Sequence, residues 1–235
     1  MSGTAADNGS GNGRRRILTA LRRELGREEL PAQVREELAT RLTAPKSNLI
    51  PARSDKPHAA QVALFVDMAE GAQASVARVS DAAGVPGAVA DYLAQNNLPS
   101  DIVMAPDAAL DSYPWAARPL LKMRRGRAED ADRVSVTGAE MAFAETGTLM
   151  LTSDAARPST LNFLPENHIV VLRAEQITGA YEEGWRRLRA EGEEGGFMPR
   201  TVNLITGPSR TADIEQRMQL GAHGPRRLHI IIVDR

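Results

Sequence analysis

The sequence predicts a layered α/β fold, with a mostly parallel sheet that carries helices on both faces. Apolar segments of strand length alternate with amphipathic segments of helical length along most of the 235 residues. Two strand segments, 168–172 and 228–233, are continuously apolar, as is typical of strands covered on both faces. With 42% hydrophobic and 25% charged residues, the chain has an ordinary globular composition and is long enough to bury a core.

The first part of the sequence predicts a helical addition before the α/β domain. Small polar residues at the start predict a disordered tail. Apolar residues then recur at every fourth position over 17–25 and over 34–42, which predicts two amphipathic helices separated at Pro31. The expected organisation is a disordered tail over 1–13, a helical segment over 14–50 and the α/β domain over 51–235.

The rest of the sequence alternates between the two element types. Strands are expected at 74–79, 101–105, 134–138, 147–152, 168–172, 201–205 and 228–233. Helices are expected up to Gly71, over 86–96, around Ile177, Tyr181, Trp185 and Leu188, and over 210–220.

Charge and cysteine content exclude several classes of function. A net charge of −1 argues against a general nucleic-acid binder. With no cysteine, the chain has no thiol nucleophile and no cysteine ligand for zinc or an iron–sulfur cluster, and its four histidines lack metal-ligand spacing, so we expect no metal site. No signal peptide or membrane-spanning run is apparent, which predicts a cytoplasmic protein without a membrane span. Most arginine clusters are expected to be solvated, and only the loop 122–127 is kept as a candidate surface for an anion or a partner.

Three loops carry residues suited to chemistry. In the first, Gly207 permits a tight turn, and the amides near Ser209, together with Arg210, would bind a carboxylate or phosphate at a helix N-terminus that Asp213 also favours. The alternative is an ordinary turn and cap, with Arg210 paired to an acid. In the second, Glu145 lies among apolar residues, where it either acts as an acid, base or nucleophile or accepts hydrogen bonds from nearby amides.

The third loop places His223 between glycines. It is either a mobile proton shuttle or part of a simple helix-ending turn. His168, which opens a predicted buried strand, is expected to be structural. Because each loop adjoins a strand of one predicted sheet, we expect the three loops to meet.

Taken together, the segments VTGAEMAFAETGTLMLTS (136–153), LPENHIVVL (164–172) and ITGPSRTADIE with GAHGPRRLHIIIVD (205–234) resemble the LUD, or lactate utilisation, domain family, and within it the C-type chains. The resemblance implies the NagB/RpiA/CoA-transferase-like fold with a helical N-terminal addition. Positions that match the family's motifs are then candidates for the site. Catalysis is assigned to Glu145 and His223, and binding of an anion or substrate to Thr146, Gly147, Arg157, Thr206, Gly207, Ser209 and Arg210.

The resemblance also implies a function. We expect a subunit of a three-protein system that oxidises L-lactate to pyruvate, binding a small carboxylate or phosphate or docking LutA-like and LutB-like iron–sulfur partners. The clusters are expected in those partners, with no cofactor bound by this chain. Two alternatives stay open: a stand-alone enzyme of the CoA-transferase and sugar-phosphate-isomerase superfamily, and a non-catalytic scaffold or regulatory subunit.

Overall fold

The computed structural model describes residues 10–26, 30–190, 199–211 and 219–235. The chain divides into two compact units, residues 1–46 and 47–235. Within the described residues, no helix combines the length and the apolar character needed to cross a membrane.

The N-terminal unit contains the two expected helices, α1 (Ser10–Glu24) and α2 (Ala32–Thr43). Pro31 precedes the first turn of α2, where its missing N–H is tolerated. The expected tail divides at Ser10: residues 1–9 lie outside the described residues, and residues 10–13 belong to α1. The apolar residues that predicted both helices, including Ile17 and Leu38, are exposed.

The second unit is built on a six-stranded sheet in which every pairing is parallel, which confirms the predicted fold class. Its strands are β1 (Ser75–Val79), β2 (Asp101–Met104), β3 (Lys122–Arg125), β4 (Val134–Gly138), β7 (Asn167–Arg173) and β12 (Arg227–Val233). Their spatial order is β1-β12-β7-β4-β2-β3. The predicted strand at 101–105 therefore lies near one edge, and the apolar strands β7 and β12 lie inside the sheet.

A second sheet has four strands in the order β8-β5-β6-β9. They are β5 (Met141–Phe143), β6 (Thr148–Thr152), β8 (Ile177–Thr178) and β9 (Val202–Ile205). The expectation of a single sheet is therefore wrong. The four residues 144–147 between β5 and β6 make a hairpin, because a parallel crossover needs a much longer connection. Strand β9 extends this hairpin as an antiparallel partner of β6.

In the described part of the second unit, five α-helices accompany the sheets: α3 (His58–Gly71), α4 (Val85–Gln95), α5 (Ala108–Asp111), α6 (Thr160–Phe163) and α7 (Tyr181–Ala190). Ile177, predicted to be helical, belongs to β8 instead, since β8 pairs with β5. The prediction of a helix over 210–220 is wrong at both ends of that range. Residues 210–211 and 219–220 form an antiparallel pair of short strands, β10 (Arg210–Thr211) and β11 (Gln219–Leu220), and residues 212–218 lie outside the described residues.

Successive residues of the inner strands point to opposite faces of the large sheet and serve two cores. Ile169 and Val171 of β7 pack in the cluster that contains Val89 and Leu93 of α4. Val170 and Leu172 pack in the cluster that contains Phe65 of α3 and residues of β6. Helix α4 therefore lies on one face, and the other face is covered by α3 and the smaller sheet.

Two histidines are buried in this sheet. The Nε2 atom of His168 lies 2.8 Å from Thr137 Oγ1, which agrees with the structural role expected for His168. His229 lies 2.8 Å through Nδ1 from Ser75 Oγ and stacks on the ring of Tyr92. Burial lowers the pKa of His168 to about 3 and that of His229 to about 4.

We expect stability to fall as the pH drops below 6.5, because the unfolded chain then binds protons that the folded chain excludes from both histidines. Each is expected to cost about 2 kcal/mol between pH 6.5 and pH 5. Urea unfolding at pH 7, 6 and 5 measures this slope. His168→Asn or His229→Asn should flatten it, whereas His223→Asn, at an exposed position, should retain it. A slope unchanged by both buried-site variants would contradict the assignment.

Candidate functional site

One cavity lies at the carboxyl edge of the large sheet, where the connections diverge. The chain leaves β2 towards β3 at one side and leaves β4 towards β7 at the other, so a crevice opens between β2 and β4. Open α/β sheets bind ligands at such a switch point. The cavity has a volume of about 310 Å³, and its charged and aromatic lining comprises Asp107, Tyr113, Glu140, Asp154, Arg157 and Arg173.

Arg157, one of the anion-binding residues proposed from the sequence, is held between two carboxylates in this cavity. Its Nε and Nη2 atoms donate to Asp154 Oδ2 at 3.0 and 2.6 Å, and its Nη1 atom donates to Glu140. The hydrogen bonds from Arg157 hold the pKa of Asp154 below its ordinary value. An anion that reaches Arg157 therefore shares the guanidinium with two acids.

Arg173, directly after the buried part of β7, is better placed than Arg157 to bind an anion. Its Nε atom lies 2.8 Å from Glu175, whose side chain is 73% exposed and is therefore easily displaced. Burial raises the pKa of Tyr113, and Arg173 opposes this rise while Asp107 adds to it, so both charges act on the Tyr113 hydroxyl. The cavity therefore offers a cation, a neutral hydroxyl and carboxylate acceptors.

The backbone beneath these groups is fixed by one glutamine. The Gln176 Nε2 atom donates to the carbonyls of Ala139 and Glu140 at 2.7 and 3.1 Å. Its Oε1 atom accepts from the Arg173 amide at 2.8 Å. Gln176 therefore connects the end of β7 to the turn after β4 through hydrogen bonds. Both segments line the same cavity.

Sequence reasoning missed Arg173, Tyr113 and Asp107. A signal was available for two of them, because Arg173 directly follows an apolar run and Asp107 comes soon after another. Nothing in the local sequence placed Tyr113 beside Arg173. That proximity depends on strand order.

Glu145 does not reach this cavity's lining, since it lies in the turn at the other end of the β5–β6 hairpin. It is buried, its amide donates to Gly179 O at 3.1 Å, and its Oε1 atom accepts from the Tyr181 amide at 3.4 Å. Because Tyr181 opens α7, the carboxylate lies at the positive end of that helix. This geometry fits a carboxylate that accepts hydrogen bonds from amides.

We expect Glu145→Gln to destabilise the fold by about 1 kcal/mol, because it removes a charged acceptor at the start of α7. Glu182→Gln, in the first turn of the same helix, is the matched control and should cost less than about 0.5 kcal/mol. Urea unfolding measures both. Unchanged stability in Glu145→Gln would contradict this structural role.

Four hydroxyl groups join the second loop to the first. Thr146 Oγ1 lies 2.7 Å from Thr148 Oγ1 and 2.8 Å from Tyr181 Oη, and Thr148 Oγ1 lies 2.6 Å from Thr206 Oγ1. Gly147 and Gly207 beside them have φ of 67° and 68°, and both press against the end of α3. Glycine is therefore required at both positions because a side chain would overlap the end of α3.

Ser209 joins the first loop to the third. Its amide donates to Pro225 O at 2.9 Å, and its carbonyl accepts from the Gly221 amide at 2.9 Å. Arg210 and His223 are exposed, and Asp213 lies outside the described residues. The three loops do meet, through Thr148–Thr206 and through Ser209. The third loop leads into the amino end of β12. Arg157 lies apart from the three loops, in the carboxyl-edge cavity.

Within the part of the chain that the structure describes, no group of three histidine, aspartate or glutamate side chains is placed to hold a metal ion.

Comparison with known families decides what kind of domain this is. The family model described as the LUD domain matches residues 62–233. The chain belongs to the LUD domain family. The match begins within α3 and ends at the last residue of β12, so it includes the cavity and the three loops, and both N-terminal helices precede it.

Individual LUD relatives match about half of the chain. "Lactate utilization protein C" of Geobacillus sp. (strain WCH70) is 34% identical over 109 residues, which is 46% of this chain and 45% of that protein. "Uncharacterized protein YkgG" of Escherichia coli (strain K12) is 38% identical over 109 residues, which is 46% of this chain and 47% of that protein. The matched part thus spans slightly less than half of each relative's length.

A solved structure supports the LUD fold. A DUF162 family protein from Deinococcus radiodurans superposes with a TM-score of 0.57 at 28% sequence identity. The superposition covers 76% of this chain and 99% of that chain. The α/β arrangement is therefore shared with an experimentally determined member.

Proposed function

We propose that this chain is a subunit of a system that oxidises L-lactate to pyruvate, and that it binds the small carboxylate in the carboxyl-edge cavity. The observation that carries the proposal is that a LUD domain, whose relatives include proteins named for lactate utilisation, holds Arg173 over a cavity at its switch point. A volume of about 310 Å³ is ample for a three-carbon acid.

The cavity offers each group that such an acid requires. The guanidinium of Arg173 pairs with the carboxylate of lactate after displacing the exposed Glu175. The Tyr113 hydroxyl, whose raised pKa keeps it protonated, donates to a substrate oxygen. Glu140 and Asp107 supply acceptors on the same lining for the proton of the lactate hydroxyl.

Oxidation of lactate to pyruvate releases two electrons and two protons. With no cysteine, this chain cannot ligate an iron–sulfur cluster through thiolates. LutA-like and LutB-like iron–sulfur partners would therefore take the electrons, while this chain orients the acid. Arg210 and His223 are both exposed, and the loops that carry them are joined through Ser209. Both residues remain candidates for docking those partners or for binding an anion.

Anaerobic purification of the tagged chain from lactate-grown cells tests the proposal. The eluate is expected to contain iron–sulfur proteins and to reduce a dye when L-lactate is added, with D-lactate as the matched control substrate. A bait that is isolated alone, and an extract whose L-lactate-dependent dye reduction survives depletion of the bait, would contradict it.

A further inference from the structure

A second cleft lies beside the cavity and shares Asp154 with it. Its volume is about 690 Å³, and its polar lining includes Arg127, Arg200, Ser159, Thr160 and Thr201. We propose that this cleft binds the phosphate group of a phosphate-bearing ligand. This proposal does not depend on lactate being the substrate of the neighbouring cavity.

The two arginines supply the charge. Arg127 follows strand β3, in which Arg124 pairs with Asp132 and Arg125 with Asp111. Arg127 and Arg200 have no carboxylate within 4.0 Å among the residues that the structure describes. With respect to the described residues, their guanidinium groups are therefore open to an external anion, in a form that suits two oxygens of one phosphate.

The acid of the cleft is already compensated. Asp154 accepts from the amides of Ala156 and Arg157 at 2.8 Å and from the Arg157 guanidinium. Arg157, which also pairs with Glu140, offsets part of this negative charge, and the two cleft arginines outnumber the one acid of the lining. A dianionic group is favoured there over a neutral one.

Hydroxyl groups supply the remaining donors. Thr160 Oγ1 accepts from the Ala128 amide at 3.2 Å, which leaves its own hydrogen free to donate. Ser159 precedes α6, and its side chain caps no amide of that helix. A phosphate carries three strong acceptor oxygens, so two guanidinium groups and these hydroxyls match its needs.

The arrangement points to an organic phosphate rather than to a small carboxylate. The shared Asp154 wall places the cleft next to the substrate cavity, so a ligand anchored by phosphate at Arg127 and Arg200 extends towards that cavity. The same chemistry would also accept free inorganic phosphate. The test below separates these two sources.

Calorimetric titration of the purified chain with inorganic phosphate, and separately with a nucleoside monophosphate, tests the proposal. Both probes are expected to bind, and Arg127→Ala and Arg200→Ala should each weaken binding by about tenfold or more. Tighter binding of the nucleoside monophosphate identifies an organic phosphate as the ligand, and equal binding identifies free phosphate.

The matched control is Arg118→Ala. Arg118 is exposed, lies outside this cleft and likewise has no carboxylate within 4.0 Å among the described residues. It should leave phosphate affinity unchanged. Absence of binding by the wild-type chain, or an equal loss in all three variants, would overturn the proposal. Because the titration needs neither lactate nor partners, its failure is distinguishable from failure of the lactate assay.

Discussion

Replacing Gly147 by alanine is expected to destabilise the second unit by about 3–5 kcal/mol. Gly147 has a φ of 67°, which L side chains rarely adopt. A Cβ atom built there would lie 2.6 Å from the carbonyl carbon of Met68 and 2.7 Å from Ala69 Cα. These are backbone atoms of α3, so no side-chain rotation relieves the overlap. The turn between β5 and β6 would have to move away from the helix.

Urea unfolding of Gly147→Ala measures this loss, and the melting temperature should fall by about 8–15 °C. Gly71→Ala is the matched control because Gly71 closes the same helix and its Cβ would meet no atom within 4 Å. That change should be neutral or stabilise by up to about 1 kcal/mol. Equal stability of the two variants would mean that α3 and the turn are not packed as described.

Replacing Arg173 by alanine is expected to raise the apparent KM for L-lactate by about 10- to 100-fold, since a charge-assisted hydrogen bond contributes about 1.5–3 kcal/mol. The kcat should change less, because the carboxylate keeps its charge throughout the oxidation, so Arg173 would bind the ground state and the transition state about equally. Arg173→Lys should fall between the wild type and Arg173→Ala, since lysine keeps the charge and loses the two-point geometry. Lactate-dependent dye reduction by the eluate of the anaerobic purification measures all three.

Arg78→Ala provides the control for Arg173→Ala. Both arginine side chains are 51% exposed, and each pairs with one carboxylate, Asp234 for Arg78 and Glu175 for Arg173. Arg78 lies on the edge strand β1, outside the cavity lining. Its removal should leave KM unchanged. If both variants behave alike, the carboxylate does not bind at Arg173.

Local sequence was sufficient for five of the six strands of the large sheet. The prediction that residues 122–127 form a loop is wrong, because Lys122–Arg125 form the edge strand β3, whose charged and mostly exposed sequence carries no apolar signal. The runs 168–172 and 228–233 are apolar enough to indicate strands covered on both faces. Local sequence was insufficient for β5, β8 and the partner of β6, because those pairings join residues far apart in the chain. Ile177 fitted a helical pattern, yet it lies in β8, which pairs with β5.

The candidate site likewise has features that local sequence revealed and features that depend on strand order. The motif loops were found because their glycines and polar residues stand out, and the structure explains Gly147 and Gly207 by packing against α3. The cavity was missed because it forms where β2, β4 and β7 become neighbours, an order that the chain does not follow. Arg157, selected by family resemblance, is the one predicted residue in the lining of that cavity.

We propose that this LUD chain acts in the oxidation of L-lactate. The most direct test of this role is L-lactate-dependent dye reduction in extracts of a strain that lacks the chain, with and without a plasmid copy. We expect the activity to be lost, the wild-type copy to restore it, and the Arg173→Ala copy to restore it only at raised lactate concentration. Undiminished activity in the strain without the chain would contradict a role of this chain in lactate oxidation.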